Sequence, residues 1–355
     1  MTSWNPRSPE IFIKCILSIK KMENYSNFDV NITRKKYCNI NGKITADSNV
    51  TGIASAVICA LVFLLGTTIN CFVLWFKVFK MEKTYRATLS LHLFIAGFIF
   101  SLIRPLDMVY FALDIHWPFG SFMCRFDGAI FYLYMFGSVF IHTLYSIDYW
   151  LVIMFPFRYI SYRTVKLASK ELLGIWIFSL GLCVPYFIFK DTYDCPNSTK
   201  CVYGVQHNKK VQYQSIVTIA FILGFIVPFL VIISCVIITG FFYHRKKPSR
   251  YTTSLKLIFS LQIIYGLCWL PHHVFSFLSS FATKERISNS SIDKGLNLTM
   301  ALSSLTAFIN PLLYAFFSPD FQKAFSIQSM LKEKYGARKY PAEKIMKQVN
   351  DKQAI

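Results

Sequence analysis

A chain of 355 residues that is 54% hydrophobic and 17% aromatic but only 16% charged has the composition of a membrane protein rather than of two soluble domains. A formal net charge of +20 would suit nucleic acid in a soluble protein. Here the basic residues stand in short clusters between long apolar runs and do not interleave with aromatics on one face, so nucleic acid is excluded as a partner and the charges read as topology signals.

Residues 1–50 are polar, basic and aperiodic, which predicts a mobile segment ahead of the first span. Ile11–Ile19 is apolar but broken by Lys14 and lacks a small-residue cleavage site, so it is not read as a signal peptide, and Met22 offers an alternative start. Seven charge-free runs follow: Gly52–Phe76, Ala87–Ile103, Gly128–Ile147, Leu172–Phe189, Val211–Tyr243, Leu257–Ala282 and Gly295–Ser318. About 20 residues are needed to cross a bilayer as a helix, so these predict an all-α membrane protein with seven transmembrane helices over 51–318. The loops leave no room for a soluble domain between spans. Lys77, Lys80, Lys83 and Arg86 follow the first span, Arg158, Arg163, Lys166 and Lys170 the third, and Arg245, Lys246, Lys247 and Arg250 the fifth. The positive-inside rule makes those loops cytoplasmic and the amino terminus extracellular. The Asn-x-Ser/Thr acceptors Asn24, Asn31, Asn49, Asn197, Asn289 and Asn297 all fall on the opposite side, with Asn49 and Asn297 close to the membrane.

In chain order, the first span carries Asn70, whose amide needs partners on its own or a neighbouring helix, and the second carries Gly97 and closes on Arg104, Pro105 and Asp107. Charges at that depth either face a wet cavity, making Arg104 and Asp107 candidate pocket residues, or snorkel to the interface. The third span, opened by WPFGSFMC at 117–124 and carrying MFGSVF at 135–140, is anchored at its inner end by Asp148-Tyr149-Trp150. Trp176 and Pro185 lie in the fourth span, Pro228 in the fifth, Cys268-Trp269-Leu270-Pro271 in the sixth, and Asn310-Pro311-Leu312-Leu313-Tyr314 in the seventh. Pro271 removes a helical hydrogen bond and sets a hinge there. His272 and His273 are adjacent and so point about 100° apart, a poor metal pair. Residues 319–355 form a short amphipathic cytoplasmic helix and a basic tail, with no cysteine after Cys268 to palmitoylate. Cys59, Cys71, Cys183, Cys235 and Cys268 lie inside spans and are expected to be free. Cys38, Cys124, Cys195 and Cys201 lie outside and allow three pairings, with Cys15 as a further competitor. No nucleotide loop, metal cluster or nucleophile arrangement occurs, so no enzyme activity, metal or cofactor is expected. Nor does the chain show the repeat symmetry and broken helices of a transporter.

Together these motifs, in this order within seven spans, resemble the rhodopsin-like G-protein-coupled receptors, and among them the chemoattractant group of formyl-peptide, chemerin and anaphylatoxin receptors. The resemblance covers about residues 50–325 and implies a plasma-membrane receptor for an extracellular peptide or lipid, coupled to a heterotrimeric G protein. It implies a Cys124–Cys201 bridge, which leaves Cys38–Cys195 as a second, and activation motifs at Asn70, Asp148, Tyr149, Trp269, Pro271, Asn310, Pro311 and Tyr314. Its formyl-peptide-binding positions correspond to Tyr132, Ile216 and Ala220 here, so that specificity does not carry over. The candidate pocket is instead Asp107, Phe131, Tyr132, Met135, Trp269, His272 and Ser276. Around it Lys190, Lys200, Lys209, Lys210, Lys284, Arg286 and Lys294 outnumber Asp191, Asp194, Glu285 and Asp293, a rim that favours an anionic ligand.

The sequence departs from the family at three relay positions. Tyr149 stands for the third-helix arginine, Gly97 for the second-helix aspartate and Val236 for a fifth-helix tyrosine. Without that aspartate only neutral oxygens at Ser138, Thr306 and Asn310 remain for a sodium ion. The tail offers Ser318, Ser326 and Ser329 as its serine/threonine phosphorylation sites. These departures predict ligand binding with weak or altered coupling; the alternative is a decoy or scavenger.

Overall fold

The computed structural model describes residues 46–203, 210–246, 252–281, 289–318 and 321–326. Seven helices are long and apolar enough to cross a membrane: Val50–Lys80, Tyr85–Ala112, Gly120–Met154, Val165–Phe189, Val211–Phe242, Lys256–Phe281 and Ser291–Phe317. They form the seven-transmembrane bundle. The first three outrun their charge-free cores at both ends, because charged residues near the ends stay helical when the bundle supplies partners. Thr84 and Thr164 start the second and fourth spans by accepting the backbone N–H of Ala87 and Leu167, each at 3.2 Å.

The third span is the axis of the bundle. Some 67% of its central stretch is buried, against 22% for the fourth and fifth spans, and it touches the second, fourth, fifth and sixth. Gly137 permits its closest approach to the fourth span, since a Cβ there would lie 2.8 Å from the Trp176 ring. Trp176 in turn donates to His92 Nδ1 at 3.2 Å, tying the second span to the fourth.

Irregular turns interrupt three spans where the apolar pattern gave no sign. Short π-helical turns at Val62–Gly66 and Ile222–Ile226 break the first and fifth spans, each containing a glycine that admits a neighbour, and the seventh changes register at Leu305. Pro105, Pro185, Pro271 and Pro311 all lie inside helices.

Between the fourth and fifth spans an antiparallel hairpin, β1 (Lys190–Cys195) and β2 (Ser198–Tyr203), turns at Pro196-Asn197. At the other end of the bundle lie a short helix, Pro156–Tyr162, and a helical segment at 321–326. Phe321 packs on Phe76 and Tyr314 there, at ring separations of 4.7 and 6.0 Å.

Candidate ligand and coupling sites

The hairpin closes one end of the bundle. Cys124 at the start of the third span bonds Cys201 of β2, with their Cα atoms 5.7 Å apart. Cys195 is also in a disulfide, while Cys38, its expected partner, lies outside the described residues. Asp191 pairs with Arg125 at 2.5 Å and accepts from Ser121 and its neighbour's N–H. Burial opposes its charge, but these donors prevail and hold the carboxyl below the usual carboxylate range.

Beneath the hairpin four charges are sealed in the bundle. Asp127 accepts from Lys190 at 2.8 Å and from Arg104 at 3.0 Å, and Arg104 also pairs with Asp107. Arg104 is 0% exposed and its guanidinium lies 4.1 Å from the Phe100 ring centre. One of the two readings of Arg104 falls here, and one expectation needs correction. Arg104 does not snorkel, because two carboxylates hold it inside. Lys190 is not a rim cation, because its amine turns inward to Asp127. The set is neutral, as burial of ions requires.

Deeper still, the predicted pocket residues come together as an aromatic cage. Trp269 is fully buried, with Phe131 at 5.4 Å, His272 at 6.0 Å and Tyr265 stacked at 5.8 Å. Tyr132 stacks on Tyr186 at 3.4 Å, and Tyr203 of β2 meets both edge-on. Ser276 lies 3.4 Å from His272 Nε2, and Met135 seats against Gly224 of the fifth span. Among the described residues, Asp107 joins the cage through Arg104, which reaches the Phe131 ring. Trp269 Nε1 and His272 Nδ1 are buried with no partner among the described residues. His273 turns away to Phe221 and Phe225. Sequence reasoning missed Tyr186 and Tyr203; strand alternation places Tyr203 on the inward face of Cys201.

Among the described residues, the middle of the bundle is polar but holds no carboxylate. Asn70 donates to Gly66 O and Ala307 O, both at 2.8 Å, so the local and the interhelical bond coexist. A Cβ on Gly97 would lie 3.1 Å from Ala307 O and 3.2 Å from Asn70 Oδ1, so the tie occupies the room beside Gly97. Ser138 and Thr306 donate to carbonyls of their own helices, and Asn310 meets His142 Nε2 at 3.5 Å. His142 went unnoticed in the sequence.

At the end opposite the hairpin, Asp148 is 0% exposed. Arg163 binds it through Nε and Nη2 at 2.6 and 3.0 Å, Arg86 through Nε at 2.8 Å, and Tyr159 donates at 3.2 Å. Burial, with the Asp148 charge behind it, pushes the Tyr159 phenol up to about 12, so it remains a donor. Tyr149 is buried beneath the Arg86 guanidinium, 5.1 Å from the ring centre. Lys77, expected in a cytoplasmic loop, is instead buried, donating to Tyr314 at 2.8 Å.

Comparison with known proteins decides what this architecture is. The sequence pattern of the seven-transmembrane receptors of the rhodopsin family matches residues 69–314. The chain belongs to that family. It is 31% identical to rat (Rattus norvegicus) chemerin-like receptor 2 over 282 residues, 78% of this chain and 80% of the relative. Human (Homo sapiens) chemerin-like receptor 1 is 30% identical over 317 residues, covering 83% and 84%. The zebrafish (Danio rerio) C3a anaphylatoxin chemotactic receptor is 29% identical over 304 residues, covering 84% and 82%. This rhodopsin-family receptor is therefore of the chemoattractant type, a multi-pass membrane receptor and not an enzyme. Its motif residues run through the whole bundle, with Trp269 in the cage, Asn70 and Asn310 in the middle and Asp148, Tyr149 and Tyr314 at the far end.

Proposed function

We propose that this receptor sits in the plasma membrane with its amino terminus and hairpin outside, and that it binds an extracellular peptide or lipid bearing an acidic group in the cage under the hairpin. Its coupling to heterotrimeric G proteins is weak or altered. The observation that carries this reading is the contrast between the two ends. The aromatic cluster around Trp269 lies under a hairpin strapped by Cys124–Cys201, whereas Asp148 faces arginines from outside its own helix and Tyr149 holds the place of an arginine. A tyrosine supplies neither permanent charge nor five donors. Gly97 and Val236 extend the same loss, and no sodium site is expected among Ser138, Thr306 and Asn310.

The names of the relatives make chemerin and C3a the first ligands to try. Lys190 is neutralised by Asp127, so acidic-ligand preference rests on the remaining lysines of the rim. Among the glycosylation candidates, Asn197 is exposed at the hairpin turn, Asn297 is half-buried in the seventh span, Asn49 and Asn289 fall in helical turns, and Asn24 and Asn31 lie outside the described residues. Glycosidase should lower the apparent mass, and an amino-terminal tag should be reached by antibody on intact cells. A tag reached only after permeabilisation would overturn the orientation.

The deciding experiment is a second-messenger and arrestin-recruitment panel in cells expressing the receptor, run against chemerin, C3a and peptide and lipid libraries. Saturable binding with little nucleotide exchange supports the reading, and no exchange at all favours the decoy. Robust exchange by the native chain overturns both.

A further inference from the structure

The carboxylate of Asp148 is fully occupied. Each oxygen accepts two hydrogen bonds: Oδ1 from Arg163 Nε and Tyr159, Oδ2 from Arg86 Nε and Arg163 Nη2. An ionised carboxylate offers about four lone-pair sites. No acceptor position is left for another arginine. The donors come from two separate pieces of chain: Arg86 from the first turn of the second span, and Tyr159 and Arg163 from the short helix Pro156–Tyr162 and its carboxy-terminal cap. The guanidinium of Arg86 also covers the Tyr149 ring, and its backbone carbonyl accepts from Tyr145 OH at 2.8 Å. Arg163 lies 5.2 Å from the Tyr85 ring centre, and Tyr85 donates to Glu171 of the fourth span.

We propose that the arginine absent from position 149 has been relocated: Arg86 and Arg163 form a clamp on Asp148 that fastens the second span and the short helix to the third span, and Tyr149 is the flat surface on which Arg86 rests. Both arginines are positioning residues. The clamp explains why Tyr149 is tolerated beside a buried acid, because the charge that neutralises Asp148 arrives from other elements. An arginine is the residue able to do this, since its fork bonds a carboxylate while its face covers an aromatic ring. The proposal extends the reading of weak coupling by naming what holds this face closed, and its first test needs neither ligand nor G protein.

That test is hydrogen exchange, followed by mass spectrometry, on the purified full-length receptor in detergent. Arg86→Gln should speed exchange of the short helix and the last turns of the third span by about tenfold or more, the scale of one charge-assisted hydrogen bond. Arg86→Lys keeps the charge but loses the Nε donor and the stacking face, so it should fall between. Tyr149→Arg alone should loosen the same segments, because a third guanidinium meets an acid with no acceptor left. Arg86→Gln/Tyr149→Arg should return exchange to near the native rate, as the new arginine takes the vacated oxygen. Should Arg86→Gln fail to reach the membrane, Arg163→Gln opens the other arm with the same expected pattern. Native exchange in Arg86→Gln and Arg163→Gln, or additive loosening in the double variant, overturns the relocation. Nucleotide exchange is then compared in the same variants with chemerin and C3a. Restored protection without any gain in coupling would leave the clamp standing and count against the proposed cause of weak coupling alone.

Discussion

Replacing Asp127 by asparagine keeps the shape of the side chain and removes one charge from the sealed set beneath the hairpin. Asp127 and Arg104 are both 0% exposed and Lys190 only 4%, so neither cation can turn to water without moving the hairpin or the second span. After the change Arg104 and Lys190 share Asp107 alone, and a neutral group of four becomes a group with a net positive charge. Breaking a buried pair by removing one partner costs about 3–5 kcal/mol. The asparagine oxygen can still accept from one of them, which places the expectation near 3 kcal/mol, roughly a 150-fold shift in the folded population. Thermal unfolding of the detergent-purified receptor, with surface abundance as a second readout, measures this. Adding Lys190→Met removes the orphaned ammonium and should recover at least half of the loss. A single variant within about 0.5 kcal/mol of native, or a double variant that is worse than either single one, would refute the buried-network argument.

Loss of the Cys124–Cys201 bridge by Cys124→Ala frees a loop with a sequence separation of 77 residues, so a cost of roughly 4.5 kcal/mol is expected from loop entropy, and normal surface expression would contradict it. Gly97→Asp should not create a sodium-sensitive receptor. Its Cβ crowds Ala307 O and the Asn70 amide, so thermal unfolding should show a loss of about 1–3 kcal/mol, the same with and without sodium; stabilisation by sodium would refute this. The Asp191 carboxyl is depressed, so the hairpin tether it forms with Arg125 is present above the ordinary carboxylate pKa of about 3.9 and is lost only as pH falls through the lower folded value. Hydrogen exchange in the hairpin should therefore match at pH 7 and pH 5 once intrinsic rates are corrected, and loosening at pH 5 would show that another group governs it.

The bundle was legible in the sequence because hydrophobic runs of bilayer length, interrupted by basic clusters, leave few alternatives. Phe131, Tyr132, Met135, Trp269 and His272 could be placed near one another because proline and cysteine landmarks fix the register of the third and sixth spans; the structure packs the four rings within contact distance, with Met135 in the same buried cluster. Charged residues were harder to place, because a linear reading treats a charge as the end of a span. Asp127 marks the edge of a charge-free run, yet it lies inside the helix, and its partners Arg104 and Lys190 are distant in sequence. Lys77 and Arg86 count as inside-positive residues, yet their side chains turn back to Tyr314 and Asp148. The π turns at Val62–Gly66 and Ile222–Ile226 left no signal, since one extra residue in a wholly apolar helix does not change its composition.

Ligand binding and ligand-driven nucleotide exchange, measured on the same membranes with chemerin, C3a or a library hit, bear most directly on the proposal that this receptor binds ligand while its coupling is weak or altered. The native chain is predicted to bind saturably while exchanging at a small fraction of the rate reached by its Arg86→Gln/Tyr149→Arg variant. Full exchange by the native chain, unchanged in that variant, would contradict it.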